Sequence, residues 1–167
     1  IFQLPLPFPA LYSWYIALHV LLAAYGTYRL SSYWQASCWG ASLAAVSYAL
    51  GGSLLSQHAN VIYLVSAAWL PFALQSTDRM LVQRNWRSAL SLALLLTFMT
   101  LGGDPQSAYH AGLLAGLYAL VLSRKRGQQL EAKSQSPRWF QHRFILLTLA
   151  GVLTLLLSAI QVLPTWQ

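Results

Sequence analysis

The sequence predicts an all-α, polytopic membrane protein of about six transmembrane helices, forming one domain over residues 1–167. Three observations carry that prediction. Hydrophobic residues make up 57% of the chain and charged residues only 8%, too little polar surface to coat a soluble domain of this size. Apolar stretches of roughly 17–25 residues, the length a helix needs to cross hydrocarbon, recur along the chain. All ten Lys and Arg fall in alternate connections between those stretches. Period-2 alternation is absent, which argues against a closed barrel, the other structure that survives in lipid.

The segments follow in order. The first, Ala10–Leu30, comes after the Pro-punctuated approach IFQLPLPFP. The second, Gln35–Leu55, is rich in small residues and ends near the flexible pair Gly51-Gly52. The third is Val61–Ser76. The fourth, Arg87–Leu101, and the fifth, Gln106–Leu122, are short, and the turn Gly102-Gly103-Asp104-Pro105 joins them. The sixth is Phe144–Leu163. Between the last two, the polar run GQQLEAKSQSP at 127–137 reads as a solvated linker within a basic loop at 123–143.

Charge placement orients this chain. Counting the segment ends with the connections, Arg29 lies in the first basic connection, 29–34, and Arg79, Arg84 and Arg87 in the second, 77–87. Arg124, Lys125, Arg126, Lys133, Arg138 and Arg143 lie in the third. The positive-inside rule puts these connections in the cytoplasm. Residues 1–9, 52–60, 102–105 and 164–167, which hold no Lys or Arg, then face outward, and both ends lie outside. With no basic leader at its start, the chain reads as an internal piece of a longer polytopic protein, with at least one helix before it. Tyr33, Trp34, Trp86 and Trp139 suit the inner interface, and Trp14, Tyr63, Tyr109 and Trp166 the outer one. Basic patches beside a membrane point to anionic lipid as partner rather than nucleic acid, despite the net charge of +7.

Few polar residues remain to be explained. Asp104 is the one carboxylate on the predicted outer side, and it sits where a helix cap belongs. Asp favours the N-cap, Pro the first helical position, and Gly-Gly permits the reversal. A cap uses one carboxylate oxygen; the other is left for a metal ion, a substrate hydroxyl or a proton. Gln57, His58, Gln106, His110 and Gln161 share the outer side and are the candidate substrate-binding residues, with Asp104 the candidate catalytic group. His19, midway through the first segment, suits either a bond across a helix interface or ligation of a pigment. The stripe Gly112-x-x-x-Gly116, with Ala108, Ala115 and Ala119, suits close helix packing. Asp78 beside Arg79 reads as a surface ion pair or as the end of the third helix, Glu131 as part of a solvated loop, and Cys38 as filler.

Several stretches together resemble the YfhO-like bacterial membrane proteins, of the GT-C glycosyltransferase class. They are YSWYIALHVLLAAYGTYRL, ASLAAVSYALGGSLLSQHAN, SAAWLPFAL, the turn GGDPQ, and SAIQVLPTWQ, in the family's order along nearly the whole chain. In the family the turn is commonly Gly-His-Pro-Gln; here Asp104 stands in place of the histidine. The resemblance implies a GT-C-like partial bundle in the bacterial inner (plasma) membrane, part of the cell-envelope machinery. It implies a polyprenyl-phosphate sugar as donor, used on the outer face, with the family's key acidic residue expected in an outer loop before Ile1.

Such chemistry is displacement at an anomeric carbon. A carboxylate takes the acceptor's hydroxyl proton and a phosphate leaves. The leaving phosphate calls for a cation, from a divalent metal ion or from residues beyond this chain. Two other classes fit the same pattern. One is a transporter of a lipid-linked precursor. The other is a structural or accessory subunit beside neighbouring membrane subunits, contacting lipid or pigment.

Overall fold

The computed structural model describes the backbone of residues 8–83, 86–131 and 138–162, and the side chains of 8–82, 86–121 and 144–159. The described residues are all-helical. They form α1 (Phe8–Tyr33), α2 (Cys38–Ala49), α3 (Gly52–Leu55), a 3-10 turn at Ser56–Ala59, α4 (Val61–Gln83), α5 (Trp86–Leu101), α6 (Pro105–Glu131) and α7 (Arg138–Val162). Two helical stretches, Phe8–Tyr33 and Cys38–Ala59, are long and apolar enough to cross a membrane, and Trp86–Leu101 and Phe144–Ala159 are shorter apolar helices.

Each expected segment contains a helix, with three differences. The second is interrupted: α2 stops at Ala49 and the chain re-enters a short helix after an extended Gly51. Gly51 is required there by crowding, because a Cβ on it would lie 2.8 Å from the Ser47 carbonyl oxygen. The third does not end at Ser76. Met80, Leu81 and Val82 continue the apolar pattern, and α4 runs to Gln83. The linker expected at 127–137 is helical through Glu131. Arg, Lys, Gln, Leu and Glu are all good helix formers, and a single Gly127 does not outweigh them. Residues 132–137 lie outside the described part.

The chain divides into two compact units, Ile1–Pro71 and Phe72–Gln167. In the first, α1 packs on α2, and both bury small residues. These are Ala23 and Gly26 on α1, and Ala41, Ala45 and Ala49, one turn apart, on α2. Small side chains let helix backbones approach closely where lipid gives no hydrophobic drive to associate. A compact core of Ala23, Leu54, Leu64 and Ala68 takes Ile16, Val20, Leu22 and Tyr48 against it.

In the second unit, α5 packs on α6 and on α7. Its buried face runs Ala89, Leu92, Ala93, Leu96 and Met99, at helical spacing. The Thr154 hydroxyl of α7 donates to the Ala93 carbonyl of α5 at 3.3 Å and to Ala150 at 2.8 Å. The buried stripe of α6 is Ala108, Ala111, Ala115 and Ala119. The glycines predicted to make the close approach do not make it. A Cβ on Gly112 would meet nothing within 4 Å, and one on Gly116 would meet Leu147 at an ordinary 3.9 Å. The small-residue signal was right for the helix and one step off in face.

Candidate functional site

The turn Gly102-Gly103-Asp104-Pro105 is built from both of its ends. The Gly103 amide donates to Thr100 at 3.0 Å and the Asp104 amide to Met99 at 3.3 Å, the bond pair of a Schellman ending to α5. That ending needs a left-handed residue, and Gly103 has φ 98°, where a side chain is strained. One residue later Asp104 opens α6. Its Oδ1 accepts from the Ser107 amide at 2.9 Å, satisfying one of the helix's free donors. Pro105, at the first helical position, has no amide hydrogen to satisfy. The cap is therefore real.

The other carboxylate oxygen is the unusual part. Asp104 is 2% exposed, and its Oδ2 is buried with no hydrogen-bond partner. Buried polar atoms are seldom left so, because each gives up its water without a replacement.

The side chains expected to share its site are placed as follows. Gln106 and His110 are exposed, and the His110 ring tilts against Tyr109 at 5.8 Å between centroids. They occupy a different face of α6 from the buried row of Ala108 and Ala111, which Asp104 precedes. Gln161 belongs to α7, and its side chain lies outside the described residues. In the other unit, the His58 Nδ1 lies 2.7 Å from the Leu55 carbonyl oxygen, to which it donates, because a carbonyl can only accept. The Tyr12 hydroxyl donates to the His58 carbonyl at 3.0 Å, and Gln57 Oε1 is buried with no partner. His19 bonds within its own helix, its Nδ1 2.8 Å from the Tyr15 carbonyl and its ring 4.3 Å from that of Tyr15.

One group was misread from the sequence. Asp78 is neither on the surface nor at a helix end, since α4 continues to Gln83. It is 7% exposed, and its Oδ1 accepts from the Tyr118 hydroxyl of α6 at 2.5 Å. Buried Gln75, Ser76 and Thr77 precede it, and the Ser76 and Ser91 hydroxyls meet at 3.2 Å. The signal was present in Met80-Leu81-Val82, which carry the apolar helix past the aspartate. Its partner, 40 residues away, had no signal.

Among the described residues, no three His, Cys, Asp or Glu side chains come together to hold a metal ion. Comparison of the chain with protein-family models, with curated proteins and with solved structures finds no match.

Proposed function

We propose that the chain belongs to a multi-pass membrane glycosyltransferase of the GT-C class, YfhO-like, in which Asp104 is the general base. Its basic connections face the cytoplasm, and its Gly-Gly-Asp-Pro turn faces outward, toward a polyprenyl-phosphate sugar. Support for the membrane setting comes from the outward faces. Leu43 is 69% exposed, Leu155 69% and Leu156 67%, surfaces that favour lipid over water. The hydroxyls of Thr97, Thr100 and Thr148 turn back onto carbonyls of their own helices, as hydrocarbon demands of polar groups.

The observation that carries the enzymatic reading is the divided carboxylate. Oδ1 is held by the Ser107 amide, so the side chain is fixed. Oδ2 is buried and unpartnered, and in this reading it takes the proton of an acceptor hydroxyl. In the step proposed, that proton passes to Oδ2 as the acceptor oxygen bonds to the anomeric carbon. The bond from that carbon to the phosphate oxygen breaks, and the polyprenyl phosphate leaves with the electron pair.

Asp104→Asn separates base from cap. Asn keeps an N-cap oxygen and removes the basic carboxylate. In membranes supplied with a radiolabelled polyprenyl-phosphate sugar, the variant should fold to normal yield and lose about 10²–10⁴-fold in transfer rate. Full activity in Asp104→Asn would leave the residue as a cap alone.

A further inference from the structure

The helix α4 runs without interruption from Val61 to Gln83 and carries Pro71 within it. Proline has no amide hydrogen, and its ring crowds the carbonyl four residues earlier. The Ala67 carbonyl therefore loses its helical donor. The Tyr48 hydroxyl, reaching over from α2, donates to that carbonyl at 2.9 Å. The Tyr48 ring is held for this by packing against the core of Ala23, Leu54, Leu64 and Ala68. Two further observations fall at the same place. The chain divides into its compact units between Pro71 and Phe72, although the helix continues. Ser66, 2% exposed, has an Oγ with no partner, whereas Thr77 further along α4 bonds back to Ala73.

We propose that α4 is hinged at Pro71 and that the Tyr48 hydroxyl is the catch on this hinge. In apolar surroundings a carbonyl freed by proline must find a donor from a neighbouring helix. With the catch engaged, α4 keeps one bend. With the catch withdrawn, the unpaired Ala67 carbonyl favours bends that expose it to another donor, and proline removes the bond that would oppose them. The inference is independent of the role given to Asp104, which lies on other elements.

The hinge is tested by spin labels at Ile62 and Val82, both exposed on α4, with Cys38→Ser to remove the native thiol. The two positions lie about 30 Å apart along a straight helix, within the range of pulsed electron resonance on protein in nanodiscs. The otherwise unaltered labelled protein should give one narrow distance distribution. Tyr48→Phe, which removes the hydroxyl and keeps the ring, should broaden it toward shorter distances. Adding Pro71→Ala should narrow it again, because the backbone amide restored at that position then supplies the Ala67 carbonyl. An unchanged distribution in Tyr48→Phe would overturn the proposal, and so would a distribution that stays broad in the double variant. If Tyr48→Phe lowers folded yield, recovery of that yield by Pro71→Ala supports the catch. Failure to recover it assigns Tyr48 to packing alone and overturns the catch.

Discussion

At the end of α1, the Gln35 amide donates to Ser32 at 3.1 Å and the Ala36 amide to Ser31 at 3.0 Å. At the end of α5, Gly103 and Asp104 make the same pair of bonds to Thr100 and Met99. Both turns place a left-handed residue at the pivot, Gln35 at φ 64° and Gly103 at φ 98°. Both then open a helix with a side-chain cap. Ser37 accepts from the Gly40 amide at 3.2 Å, and Asp104 from Ser107 at 2.9 Å. The backbone geometry is the same and the residues differ. The first turn accepts a strained glutamine and an exposed, neutral cap. The second uses an unstrained glycine and a buried carboxylate with an oxygen to spare. Only the second combines low backbone strain with an unsatisfied reactive group, and that difference marks it as the candidate site.

The sharpest test of this contrast removes the two caps. Asp104→Ala should destabilise the protein by about 2 kcal/mol, the upper end for a lost cap, because the cap is buried. Ser37→Ala, whose cap is exposed to solvent, should give only about 0.5 kcal/mol. Detergent denaturation followed by circular dichroism reads both, and equal effects would break the comparison.

The pivots should respond with opposite signs. Gly103→Ala places a Cβ in the left-handed region and should destabilise by about 1 kcal/mol in the same assay. Gln35→Gly relieves that strain at the first turn while adding freedom to the unfolded chain, so the gain should be smaller. About 0.5 kcal/mol of added stability is expected. A loss of stability in Gln35→Gly would mean that the glutamine side chain holds the turn in a way its backbone angle does not show.

The second turn was legible in the sequence for a physical reason. Gly, Asp and Pro each act on backbone within three residues of themselves, so their order predicts a helix end followed by a helix start. The first turn was not legible, because Trp-Gln-Ala carries no residue that prefers a left-handed backbone. Asp104 was identified as a cap with a free oxygen. Its near-complete burial, and the separation of its face of α6 from that of His110, depend on which side of α6 meets α5 and α7.

The sequence by itself determined that each apolar stretch holds a helix, though not all of the helix bounds, because apolar length, caps and breakers act locally. It also determined the clustering of Lys and Arg around residues 79–87 and 124–143, which is a property of order along the chain. Tertiary structure alone decided which polar groups found partners. Asp78 meets Tyr118 across 40 positions, and the Tyr48 hydroxyl reaches the carbonyl that Pro71 frees. Such bonds depend on rotation of each helix about its axis. A chain apolar on nearly every face carries too little amphipathic asymmetry to encode that rotation. Small-residue packing and a few buried hydroxyls supply it only once the helices are together.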